Sequence, residues 1–176
     1  QRHVNEILSI LDDSYYLIVG LKLPGRPTDV DHLVVGPNGV FAFETKNHRG
    51  RISARGGRWY QTKVSRRGHL QPEESIADPV RQLKRNVDYL RSCINATDRA
   101  LARHTRLWIE GAVVFVHPGV CVDLPDYLQA RLPFPVLRAR DLPSFILEHV
   151  PRRGLLPDEV EAIVRLFGQL EPPPST

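Results

Sequence analysis

Four ionisable side chains stand inside two short apolar segments of the stretch from Thr28 to Asn47, TDVDHLVVGPNGVFAFETKN: Asp29, Asp31, Glu44 and Lys46. Strands that only fill a core do not carry such groups, because an unpaired buried charge is costly. Gly36-Pro37-Asn38-Gly39 between the segments predicts a β-hairpin. Successive strand residues point to opposite faces. Asp29, Asp31, Leu33 and Val35 therefore share one face of the first strand, and Val40, Ala42, Glu44 and Lys46 share one face of the second. With a loop of two or four residues, the numbers of opposed residues sum to 75, which sets Asp31 against Glu44 and Asp29 against Lys46. A three-residue loop with a bulge at Gly39 gives 76 and separates them. Pro37 fixes φ near about −65° and excludes the primed two-residue turns, so a four-residue loop around a type I turn is expected.

Two carboxylates opposed across a hairpin have Cβ atoms about 4.5–5.5 Å apart. They repel unless a cation sits between them, and an all-oxygen site suits Mg²⁺ or Mn²⁺. Lys46, on the same edge, could hold a phosphate or help the attacking water lose its proton. Together these parts describe metal-assisted phosphodiester hydrolysis. The other reading is a strand end with a cross-strand Asp29–Lys46 ion pair and solvated carboxylates; spacing alone leaves both open.

Asp31 followed by Glu44-Thr45-Lys46 resembles the D…ExK signature of the PD-(D/E)xK nuclease superfamily. The wider set is Asn5-Glu6, Thr28-Asp29-Val30-Asp31-His32, Gly39-Val40-Phe41, Glu44-Thr45-Lys46-Asn47, Gly50, Trp59 and Gln82. It resembles the NERD (nuclease-related) domain over roughly residues 3–95. Asn5 departs from the family's usual Gly before the Glu. The resemblance implies an α/β fold, a restriction-endonuclease-like mixed sheet flanked by helices. It also implies divalent-metal-dependent hydrolysis of nucleic acid, DNA before RNA. Asp31 and Glu44 would ligate the metal with the Thr45 carbonyl, Lys46 would act on water and phosphate, and Gln82 and Glu6 would support them.

The elements that must position these groups are legible as patterns. Residues 2–11 read as a helix with Val4, Ile7, Leu8 and Leu11 on one face. Glu6 lies off that stripe. Tyr15 to Leu23, aromatic and β-branched, reads as the first strand. His32 points away from Asp31 and reads as a core histidine. Arg51–Ser53 and Trp59–Val64 read as short strands around Arg55-Gly56-Gly57, with Trp59 closing a core edge. Asp78-Pro79 caps a helix to about Asn95, with Gln82, Asn86 and Tyr89 as a polar stripe beside its core face. Glu110–His117 reads as a buried strand, residues 135–138 as a short one, and 142–150 and 157–170 as helices. The expected order is helix, three strands, helix, strand.

From Lys46 to Pro72 there is no acidic residue. Arg49, Arg51, Arg55, Arg58, Lys63, Arg66 and Arg67 form a basic run leaving the carboxylate hairpin, a track for a polyanion. Lys84 and Arg85 on the long helix are further candidates for phosphate contact beside their ordinary role as solvated charges. The chain of 176 residues, net charge +4, suits one domain over 1–170 with a Pro-rich linker start at 171–176. The lack of methionine and the tail suggest a piece of a longer protein with a fused partner domain. Cys93 and Cys121 lack CxxC spacing and read as reduced thiols, and no stretch is long and apolar enough for a membrane, so a cytoplasmic setting is expected. A nucleic-acid-binding or interaction module without catalysis is the alternative function.

Overall fold

The computed structural model describes residues 2–25, 29–65, 67–97 and 109–169. Thr28, Arg66, His104 and the tail at 171–176 lie outside them. The described chain forms two sheets. In the first, the order is β1 (Tyr16–Leu21), β2 (Val30–Gly36), β3 (Gly39–Lys46), β7 (Ile109–Phe115) and β9 (Val136–Arg138). β1, β2 and β3 are antiparallel, whereas β3, β7 and β9 run parallel. The second has the order β6 (Glu74–Ile76), β5 (Arg58–Thr62), β4 (Gly50–Arg55) and β8 (Val120–Asp123).

Helices cover both faces of the first sheet, as its parallel strands require. The long helix α2 (Pro79–Thr97) lays Val80, Leu83, Val87, Leu90 and Ile94 on Leu33, Val35, Val40, Ala42 and Val113. Val160, Ile163 and Phe167 of the last helix, α5 (Pro157–Gly168), join the same core. On the other face, Val4 and Leu8 of α1 (Arg2–Leu8) and Leu142 and Ile146 of α4 (Leu142–Leu147) pack on Val34, Phe41, Phe43, Ala112 and Val114. A short α3 (Asp126–Gln129) and a 3₁₀ turn at Ala139–Asp141 complete the elements of the described residues. Alternation along β2 and β3 thus assigns one residue set to each core. This is the α/β, restriction-endonuclease-like arrangement that the sequence predicts.

Three expectations need correction. The hairpin loop is two residues, Pro37-Asn38, because Gly36 and Gly39 pair with each other. The sum of 75 is unaffected. The first helix stops at Leu8, where Ser9 Oγ bonds back to the Glu6 carbonyl. Among the described residues six strands, not three, separate α1 from α2. The additional ones arise because β3 and β7 do not end at the first sheet. After Lys46 and Phe115 both chains bend together, with Val116 N donating to Lys46 O and Gly50 N to Gly119 O. They re-emerge as the parallel pair β4 and β8 of the second sheet. The ionisable cluster stands at this bend.

Candidate active site

β2 pairs with β3 as His32↔Phe43 and Leu33↔Ala42, and the same register carried one residue on puts Asp31 opposite Glu44. Two tertiary contacts hold the turn that sets this register. Asn38 Nδ2 donates to Ile146 O at 2.5 Å, and Leu155 N donates to Pro37 O at 2.7 Å. α2 starts beside the pair. Asp78 caps it, its Oδ1 accepting from Arg81 N at 2.9 Å, and Pro79 at the first helical position needs no acceptor. Gln82 then faces the end of β3.

Lys46 Nζ donates to Glu44 Oε1 at 2.6 Å and to Gln82 Oε1 at 3.1 Å. The Glu44 side chain is 2% exposed and that of Lys46 21%, so the ammonium lies on the solvent side of the carboxylate. Glu44 Oε2 is buried and has no hydrogen-bond partner among the described residues. Burial pushes the Glu44 carboxyl up to about 7; Lys46 holds it back, and the charge of Asp31 adds to the rise. Asp31 is half-buried. Its Oδ2 accepts from Thr45 N at 2.7 Å and Thr45 Oγ1 at 2.8 Å, which turns the carboxylate toward β3.

This donor set fits a divalent cation. A buried carboxylate oxygen without a partner is costly unless something binds it, and a second carboxylate stands across the ladder. Among the described residues no group of three His, Cys, Asp or Glu side chains could hold a metal. A cation here would draw on Asp31, Glu44, backbone oxygen and water, a composition normal for Mg²⁺ and Mn²⁺. Asp29 is exposed, and Lys46 bonds Glu44 rather than pairing with it.

Glu6 is exposed, on the helix that packs against the opposite face of the sheet. That helix reaches β2 through Asn5, whose Oδ1 lies 3.0 Å from Nε2 of the fully buried His32. The structure does not bring Glu6 into the Asp31–Glu44–Lys46–Gln82 group. It gives Thr45 and Asn86 positioning roles beyond those read from the sequence, where Thr45 offered only its carbonyl and Asn86 was part of the polar stripe. The Thr45 amide and hydroxyl hold Asp31, and buried Asn86 donates to the carbonyl of Asp29 at 3.0 Å, fixing the entry to β2. The polar stripe on α2 was the signal for Asn86.

The basic run spreads over the second sheet and its approaches. Trp59 is buried in the core beneath it. Arg51 pairs with Asp123, Arg55 with Glu73, Lys63 with Glu74, and Lys84 on α2 with Asp88. Arg49, Arg58, Arg67 and Arg85 are exposed, with no acidic partner among the described residues. Acids supplied from outside the run thus neutralise part of it.

The model of the nuclease-related domain family, NERD, matches residues 1–116. The chain belongs to this family. The match takes in α1 to β7, and with them both carboxylate strands and the whole of α2 within the described residues. An uncharacterized protein of Bacillus anthracis is 34% identical to this NERD domain over 88 residues, 47% of this chain and 39% of that protein. The chain thus spans well under two thirds of that relative's length. No solved structure gives a significant match. No helix among the described residues is long and apolar enough to cross a membrane.

Proposed function

We propose that this domain hydrolyses nucleic-acid phosphodiester bonds, DNA in preference to RNA, with Mg²⁺ or Mn²⁺ held by Asp31 and Glu44 and by the Thr45 carbonyl. The observation that carries the reading is Glu44 itself: one oxygen on Lys46, the other buried with no partner among the described residues. A binding module gains nothing from a buried carboxylate beside a polyanion. A divalent cation bound there supplies Lewis-acid polarisation of the phosphate. Lys46 has three ammonium protons, and Glu44 and Gln82 take two. The third orients the attacking water and meets charge developing on the phosphate. Gln82, whose oxygen accepts from Lys46, turns its amide hydrogens toward the substrate. Thr45 fixes Asp31. Glu6 stays a more distant supporting candidate. The unpaired thiols of Cys93 and Cys121 suit a reducing, cytoplasmic setting.

The deciding experiment uses plasmid, linear duplex, single-stranded DNA and RNA with Mn²⁺ or with EDTA. Wild type cleaves DNA only with the metal. Lys46→Ala keeps binding within a few-fold and loses on the order of 10²-fold in rate, the mark of a group acting in the transition state. Equal cleavage by Lys46→Ala removes its assigned role. No cleavage of any substrate by wild type leaves the binding-module alternative.

A further inference from the structure

Beyond β5 and β6 the ribbon runs on as an arm that the proposed chemistry does not use. Gln71 N donates to Lys63 O and Ser65 N to His69 O, each at 2.8 Å, and Val64 bridges Leu70 between them. Gly68, with φ +82°, closes the tip, its N–H donating to Ser65 O at 3.0 Å. Val64 and Leu70 are therefore directly opposed, yet they are 49% and 75% exposed. From Lys63 to Pro72 the arm has no acidic residue; Lys63 is engaged by Glu74, while Arg67 and His69 are exposed at the tip.

The root of the arm is tied to the segment that leaves Lys46. His48 Nδ1 lies 3.1 Å from Gln61 Oε1, and Gln61 Nε2 donates to Arg49 O at 2.7 Å. Gly50, at φ +82°, lies so close to Thr62 O that a Cβ there would sit 2.3 Å from it. The arm is thus anchored a few residues beyond the end of β3.

We propose that this arm is a clasp for double-stranded nucleic acid. The two-stranded ribbon enters a groove, with Val64 and Leu70 against sugars and base edges and Arg67 and His69 on the flanking phosphates. This rests on the nucleic-acid reading above and adds the substrate class. The major groove of B-DNA admits a two-stranded ribbon, and apolar side chains there contact thymine methyl groups. Single-strand platforms instead stack bases on aromatic rings. Here Trp59 is buried and the Arg55 guanidinium covers Tyr60 at 4.0 Å.

The test measures binding of labelled duplex and labelled single strand in EDTA. The Val64→Ser/Leu70→Ser double variant should lose about ten-fold or more in duplex affinity, from lost apolar burial, and keep its salt dependence and single-strand affinity. Arg67→Ser should lower the duplex log–log salt slope by about 0.9. Leu147→Ser, about as exposed as Val64 but on α4, is the control and should change nothing. The arm proposal is overturned if the double variant binds duplex like wild type, or loses both substrates equally. It is also overturned if wild type is a dimer that the double variant breaks, since the apolar pair then covers a second copy. The same variants assayed with Mn²⁺ separate the two readings. Duplex binding through the arm without cleavage removes the nuclease and leaves the clasp. Cleavage with unchanged binding by the double variant removes the clasp alone.

Discussion

Glu44 sets the electrostatics of the site. Its carboxyl is raised from an ordinary 4.5 to about 7, first by burial, against the pull of Lys46 and with a push from Asp31. Between those two values the folded chain holds a proton that the unfolded chain has released. Stability from this group is therefore complete below about pH 4.5, falls as pH rises to about 7, and is flat beyond. Glu44→Gln imitates the protonated acid and can still accept from Lys46. In EDTA, the melting temperature of Glu44→Gln relative to wild type should climb across that window and level off above it. The plateau is worth on the order of a few kcal/mol. A difference that stays constant from pH 4 to pH 9 would mean that Glu44 titrates alike in the folded and unfolded chain and that the site is wetter than its burial implies. Added Mn²⁺ should reverse the order at neutral pH, since a ligand of the folded state stabilises it.

At the scale of elements, α2 acts as a staple. Gln82 bonds Lys46, Asn86 the carbonyl of Asp29, and Tyr89 the carbonyl of Pro24 at 2.9 Å. One polar stripe thus holds the end of β3 and the approach to β2. Asn86→Ala removes the hold two residues before Asp31. It should cost about 1–2 kcal/mol of stability and weaken Mn²⁺ binding by about ten-fold, the usual consequence of freeing a ligand's support. Tyr89→Phe, further along the stripe, should lower stability slightly and spare the metal. Calorimetry finding equal Mn²⁺ affinity in Asn86→Ala and wild type would make the stripe merely structural. The hairpin register was legible in sequence because parity allowed only two answers. The contacts that select one, Asn38 to Ile146 and Leu155 to Pro37, come from more than a hundred residues away and leave no local trace. The second sheet was half legible. β4 and β5 surround Gly56-Gly57, both at positive φ as a tight hairpin turn needs. β6 and β8 are three and four residues long and largely exposed, and they form because neighbouring strands offer edges.

Over the whole molecule, the charge pattern in sequence differs from that in space. The basic run is unbroken along the chain, but folding brings Glu73, Glu74 and Asp123 to Arg55, Lys63 and Arg51. Arg55 also faces Arg58 across the Gly56-Gly57 turn, a like-charge pair that is unfavourable by itself. Glu73 relieves it, and raises the hold of Arg55 on its protons while its own carboxyl is lowered. These groups are exposed, so each pair contributes little to stability, and one partner can be exchanged without unfolding the sheet. Phosphate and Glu73 then compete for the same guanidinium. If this face carries the nucleic-acid backbone, Glu73→Gln frees Arg55 for it. Affinity should rise, and the log–log salt slope should steepen by about 0.7–0.9, one released counterion. Arg58→Ser, which removes a cation with no acidic partner among the described residues, should flatten the slope by the same amount. Binding measured across a salt series decides between the two uses of the run. If neither variant moves the slope, the second sheet is a solvated surface, and the backbone lies elsewhere, along Arg49 and Arg85. If Arg58→Ser acts and Glu73→Gln does not, Arg55 is held by Glu73 in the complex too, and only the unpaired cations touch phosphate.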